Sequence, residues 1–369
     1  MSVALDAPTP APAQARRITR TPNGDLVVRT RGRRPVSTRL DGRSVIVTLV
    51  VLALALAVFA WSLTVGDYPV PLVDVVRTLV GQGSSEYEFI VRTLRLPRGL
   101  VALMVGAAFG LSGAIFQRIA RNPLASPDII GINAGAAACA VLIIVLLHGT
   151  SDEVTLGALG GATVTALAVY LLAYKRGVTG YRLVLVGIGA TAMLTSVTSY
   201  LMTRAQIYDA QRAMVWLTGS LNGRSWDHVR PLVIALLVLV PVTLALARHL
   251  RILDLGDDAA RGLGTRVEMV RSGMLLAGVA LAAIAVASAG PIGFVALVAP
   301  QIARRLVGGS GAALLPSAAV GALLLVASDL AARRVLAPTE LPVGIVTAVL
   351  GAPYLLLLLA RANRIGSAG

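Results

Sequence analysis

The sequence predicts an all-α polytopic membrane protein with about ten transmembrane helices. Three observations point there. Of the 369 residues, 56% are hydrophobic and only 14% charged, with mean hydropathy +0.79; a soluble domain carries about 25% charged residues. The apolar runs are long and continuous, as membrane helices require and barrel strands do not. The basic residues gather between alternate runs.

The chain opens on a tail, residues 1–43, rich in Pro, Thr and Arg and without apolar periodicity, so disorder is expected there. It holds nine Arg against Asp6, Asp25 and Asp41. The apolar run that follows is about twice the length of a secretory h-region and has no small-residue cleavage site. A tail that stays in the cytoplasm and orients the first helix is the simplest reading. Contact with anionic lipid headgroups is the sharper one.

Ten segments are long and apolar enough to be counted as spans: 44–65, 97–117, 128–147, 154–174, 183–203, 230–248, 270–289, 291–307, 314–332 and 341–360. The transmembrane part thus covers 44–362. The segment 291–307 is the weakest. It is short, only Gly290-Pro291 separates it from its predecessor, and the two together are alternatively one broken or re-entrant helix. With ten spans and the tail inside, the inner segments carry 23 of the 33 basic residues and a net charge of +15, and the outer ones a net charge of zero. That is the positive-inside pattern. Both termini are expected in the cytoplasm, the chain in the cytoplasmic membrane, and the overall charge of +15 needs no nucleic acid to explain it.

Ionisable side chains are nearly absent from the span centres. Asp128, His148, Arg182, Arg271, Arg304, Arg305, Asp329 and Arg333 all fall near predicted span ends. Ion-coupled carriers place such groups at depth, so a secondary transporter is the disfavoured rival. The only lysine, Lys175, is followed by Arg176, so there is no P-loop. No soluble stretch is long enough for a nucleotide-binding domain. Cys139 is alone, and His148, His228 and His249 are scattered. The sequence therefore predicts no catalytic, cofactor or metal site, and any energy for uphill transport must come from another polypeptide.

Three blocks carry a family resemblance. The first runs from Arg95-Leu96-Pro97-Arg98 through Leu111-Ser112-Gly113-Ala114 to Arg121-Asn122-Pro123-Leu124-Ala125-Ser126-Pro127 and Gly131. The second is Gly290-Pro291-Ile292-Gly293-Phe294-Val295 through Pro300 and Ile302-Ala303-Arg304. The third is Glu340-Leu341-Pro342-Val343-Gly344-Ile345-Val346-Thr347 to Gly351-Ala352-Pro353. Over residues 44–360 the chain resembles the FecCD permease subunits of bacterial ABC importers for ferric siderophores, haem and cobalamin. Gln301 departs from the pattern, where the family often has His; little consequence is expected because Arg304 is retained.

The resemblance implies a type II ABC importer permease architecture. It implies a second permease subunit, two cytoplasmic ATPases that hold the ATP and magnesium, and an external substrate-binding protein. Arginines at the positions of Arg95, Arg98 and Arg333 would receive glutamates of that binding protein, as exposed guanidinium forks can; snorkelling at helix ends is the plainer alternative. Asn122 and Leu124, in a turn stiffened by Pro123 and Pro127, would close a cytoplasmic gate opposite Thr179 and Gly180. Thr191, Thr195, Thr198 and Met202 form one helical stripe, with Ser196, Ser199 and Thr203 beside it, and would line a wide path for a polar cargo. Close packing through small residues, at the spacing also seen in Gly106/Gly110 and Gly131/Gly135, is the alternative. The loop 249–268, with Leu255, Gly256, Arg261, Leu263 and Gly264, would dock on the ATPase. The motif Arg-Asn-Pro-Leu-Ala-Ser-Pro-Asp is similar to the ferric siderophore branch, with cobalamin and haem as rival cargoes.

Overall fold

The computed structural model describes residues 18–20, 26–29, 37–174, 180–253, 256–308 and 313–366. Three short stretches of the tail, expected to be disordered, pair instead as an antiparallel sheet: β1 (Ile18–Arg20), β2 (Leu26–Arg29) and β3 (Ser37–Leu40), in that order. Arg20 and Leu40 both face Leu26 across the ladders. The stretches are rich in Ile, Val and Thr, and Asn23-Gly24, a hairpin dipeptide, lies between the first two in sequence.

From Gly42 onward the chain is helical. Helix α1 (Gly42–Thr64) starts at Asp41, whose side chain accepts from the Arg43 amide at 3.0 Å. After α2 (Leu72–Leu79) and α3 (Ser85–Glu88), a π-helical turn over Phe89–Arg95 leads straight into α4 (Leu96–Ile119). Then come α5 (Ile132–Leu146), α6 (Ser151–Ala173), α7 (Gly180–Arg204), α8 (Ile207–Leu217) and α9 (Trp226–Leu253). The chain ends with α10 (Asp257–Gly262), α11 (Val267–Ala289), α12 (Val295–Val307), α13 (Leu314–Arg334) and α14 (Val343–Gly366). A capping box at Thr150 and Glu153 fixes the start of α6.

Each expected span corresponds to a helix, though the helices differ in length. Among the described residues seven helices are long and apolar enough to cross a bilayer, and 132–146 and 343–357 are shorter apolar helices. Helix α12 has 13 residues, about 20 Å at 1.5 Å per residue, and is too short to cross alone. Gly290 and Phe294, both at positive φ, break the chain ahead of it. Such a break is tolerated at depth because α12 is almost wholly enclosed by protein.

Helix α4 is the axis of the bundle and is buried nearly all round. Its packing depends on missing side chains. A Cβ on Gly106 would strike the Gly321 carbonyl of α13, one on Gly110 the Ser317 carbonyl, and one on Gly113 the Ala296 carbonyl of α12. Gly135 of α5 and Gly161 of α6 approach in the same way. Lipid tails provide no hydrophobic drive between helices, so this close backbone contact provides the dispersion energy.

The loops sort to two ends. Arg43 donates to the Leu306 carbonyl and Gly180 abuts Ala120, placing these segments at one end. Arg95 bonds the Leu63 carbonyl and Trp226 bonds the Arg92 carbonyl at the other. The first end is the one with the excess of basic residues and is called the basic end below. Replacing Gly321 by Leu is expected to cost about 1–3 kcal/mol through overpacking. Thermal unfolding of the detergent-purified protein should show that loss, whereas Gly189→Ala, with open space around it, should leave the midpoint unchanged or slightly raised.

Candidate functional site

At the end opposite the basic one, the three predicted arginines do come together, but not as free forks. Arg98 is held by Asp329, Nε to Oδ1 at 3.0 Å, and by Glu340, Nη1 to Oε2 at 2.8 Å. Arg333 lies 3.3 Å from the other Asp329 oxygen, close as a charge but poorly aligned as a hydrogen bond, and its Nη1 reaches the Ser62 and Val65 carbonyls. Arg95 is partly buried and donates to the Leu63 and Tyr68 carbonyls. The side chains of Arg98 and Arg333 are only 12% and 8% exposed. The expectation of exposed forks is therefore corrected. Asp329 is buried, and a buried carboxylate requires compensating cations. Arg334 next door is the exposed one.

At the basic end, the Asn122 side chain accepts from the Leu124 amide at 2.9 Å, closing a tight turn on Pro123. Gly180 packs against the Ala120 backbone, so its helix start meets the Asn122 turn. Thr179 lies outside the described residues. Gln301, expected to matter little, is the centre of a buried network. Its Nε2 donates to the Pro123 carbonyl and to Gln117 Oε1, both at 2.8 Å, and Arg304 donates to that same Oε1 at 2.8 Å. Gln117 in turn donates to the Leu297 carbonyl at 2.9 Å. One amide thus fastens the turn to α12.

Asp128, expected at a span end, lies four residues ahead of α5. Ile129 and Ile130 rest on Gly187, seven residues into α7, and Gly131 on Thr191. Asp128 accepts from Asn133 Nδ2 at 3.3 Å and lies beside the Phe294 amide. It therefore sits where α5 and α12 both begin. The apolar run after it is continuous in sequence, so only the tertiary structure shows that its first residues are a non-helical entry.

Thr195, Thr198 and Met202 line a groove of about 460 Å³ with Ala134, Met214 and Leu217, while Thr191 packs on Gly131. Thr198 is buried and bonds back to the Leu194 carbonyl. Ser196, Ser199 and Thr203 of the adjacent stripe are exposed.

In the loop between α9 and α11, Gly256 and Gly264 adopt positive φ and bracket α10. Leu255 lies outside the described residues. Leu263 is 66% exposed, and Arg261 pairs with Asp258 at 3.4 Å. Asp257, the first residue of α10, takes two hydrogen bonds from Arg271, at 2.9 and 3.0 Å, and one at 3.5 Å from Arg121. Arg121 also donates to the Leu253 carbonyl. The loop is thereby tied to the residue that precedes Asn122. Among the described residues no group of three His, Cys, Asp or Glu is arranged to hold a metal.

Two expectations follow. Gln301→Leu strands the Pro123 carbonyl, while Gln117 Oε1 keeps its bond from Arg304, and should cost about 1–3 kcal/mol of stability and expose the 120–131 turn to proteolysis. Separately, hydrogen bonding to Arg271 holds the Asp257 carboxyl below its ordinary value, with Arg121 adding to the effect. A depressed folded value stabilises above the unfolded one and is lost as pH falls through it. Melting curves of wild type and Asp257→Asn should differ by up to about 1 kcal/mol at pH 7, the pair being partly exposed; the difference should begin to shrink as the pH falls below about 4 and vanish once it is below the depressed folded value.

Residues 53–361 match the FecCD transport family. The ferric enterobactin transport system permease protein FepG of Escherichia coli is 41% identical over 323 residues, covering 87% of this chain and 98% of that protein. The iron(3+)-hydroxamate import system permease protein FhuG of Bacillus subtilis is 41% identical over 330 residues, with the same two coverages. A solved inward-facing ABC transporter of metal-chelate type superposes with a TM-score of 0.76 at 28% identity, over 86% of this chain and 99% of the other. With spans, glycine contacts and polar networks in place, the chain belongs to the FecCD transport family of ABC importer permeases.

Proposed function

We propose that this permease carries a ferric siderophore across the bacterial cytoplasmic membrane, with its basic end and both termini in the cytoplasm. It works as one of two permease subunits around a shared path. Two ATPases bind the basic end, and a substrate-binding protein delivers the cargo outside. The cargo class follows from relatives named for ferric enterobactin, iron(3+)-hydroxamate and Fe(3+) dicitrate.

The observation that carries the mechanism is the contact between Asp257 and Arg121. Helix α10 with the exposed Leu263 is the ATPase contact; Gly256, Arg261 and Gly264 shape it. Asn122 and Leu124, beside Gly180, form the inner gate. A displacement of α10 reaches that gate through one ion pair, Asp257 to Arg121. On α7, Thr191, Thr195, Thr198 and Met202, with the exposed hydroxyl stripe beside them, line the path. Arg95, Arg98 and Arg333 form the receptor-facing cluster.

Uptake of a radiolabelled ferric siderophore by a deletion strain should vanish and return on complementation, with cobalamin uptake unchanged. The converse pattern would overturn the cargo assignment. Leu263→Asp should leave the chain in the membrane yet reduce both uptake and transport-stimulated ATP hydrolysis at least tenfold.

A further inference from the structure

Beside the arginine cluster, the structure holds a cavity of about 670 Å³ bounded by α5, α6, α8, α9 and the 340–342 segment. Its polar lining includes Ser151, Arg212, Arg224, His228 and Glu340. Arg224 donates through Nε to the Ser220 carbonyl at 3.2 Å and through Nη1 to His228 Nε2 at 2.9 Å. Among the described residues no carboxylate lies within ion-pair distance of it. The nearby acids are engaged elsewhere. Glu340 is held by Arg98 at 2.8 Å, and Asp227 accepts from Ser225 Oγ. Asp152 acts on His228 only at long range.

We infer that this cavity is a binding site for a small anionic ligand, with Arg224 as its anchor and Arg212 as a second cation at its wall. A partly buried guanidinium without a carboxylate is costly, and burial alone pulls its pKa down to about 10, so it is still a cation at neutral pH. With Glu340 neutralised by Arg98, the two arginines leave the lining net positive. His228 turns an acceptor nitrogen to Arg224 and so leaves the remaining guanidinium donors for a ligand. The volume falls in the range of small-molecule sites, about 300–1,000 Å³, and exceeds what one acidic side chain would fill. If the importer assignment under Proposed function holds, an anionic chelate is the natural occupant, and the cavity is a waiting position within a single subunit.

The test is equilibrium binding to the full chain in nanodiscs, with citrate as the small anion and a hexaglutamate peptide as its macromolecular counterpart. Citrate should bind, weaken at least tenfold in Arg224→Gln and severalfold in Arg212→Gln, and change less than twofold in Arg77→Gln, an exposed arginine outside the cavity. Arg224→Lys should recover part of the loss, separating a lost charge from a damaged fold. Citrate affinity indifferent to both Arg224 and Arg212, or hexaglutamate bound in preference to citrate, would overturn the assignment. No ATPase or uptake enters this measurement, so failure of the importer mechanism and failure of this site are seen separately.

Discussion

Hydrocarbon offers no hydrogen bonds, so every backbone group within it must be paired by protein. That constraint decides how two interrupted helices can exist here. Helix α12 begins after a break at 290–294, and α5 begins after the turn region 120–131. Asp128 lies beside the amide of Phe294, and Gln301 answers the carbonyl of Pro123. The Ala289 carbonyl is taken by the Ser220 amide. Each interruption thus satisfies polar groups of the other or of a neighbouring loop, and α4, stripped of side chains at Gly106, Gly110 and Gly113, lets α13 and α12 come close enough for the clasp.

The same clasp ranks the contacts that join α10 to the Asn122 turn. The Gln117–Gln301–Arg304 network is buried, and loss of one member leaves a desolvated partner without compensation. The Asp257–Arg121 pair is long and largely exposed, and pairs of that kind are worth less than about 1 kcal/mol. The turn is therefore firmly fixed to α12 and weakly tied to α10. A weak tie is the one that can be remade as α10 moves, while the firm one keeps the turn and α12 moving together.

Span positions and loop sides were legible because they depend on local hydropathy and charge. Gly290-Pro291 marked the break at α12 because both residues act on the backbone directly. Asp128 gave no sign that a non-helical entry follows it: an apolar run reads the same whether its first residues are helix or entry loop. Gln301 looked like a neutral departure because its partners, Gln117 and Pro123, lie 184 and 178 residues away. The paired state of Arg98 was hidden likewise, since Asp329 is 231 positions distant. Tail residues 18–40 looked disordered since strands of three or four residues are too short to show periodicity.

If a partner docks at that face as proposed, the paired arginines change what its docking must involve. A partner carboxylate reaching Arg98 meets a guanidinium already occupied on two sides. Asp329 cannot give way: it is 2% exposed, and releasing it would strand a charge where water does not reach. Glu340 can, because its side chain is 36% exposed and water replaces what it loses. An incoming acid would therefore exchange with Glu340 and leave Asp329 in place, which makes the net gain of that one contact small. Glu340 opens the segment that runs through Pro342 into α14, and it also lines the cavity that holds Arg224. Releasing it from Arg98 would alter both at once, so the consequence of docking at Arg98 lies in what Glu340 does next rather than in the strength of the new pair.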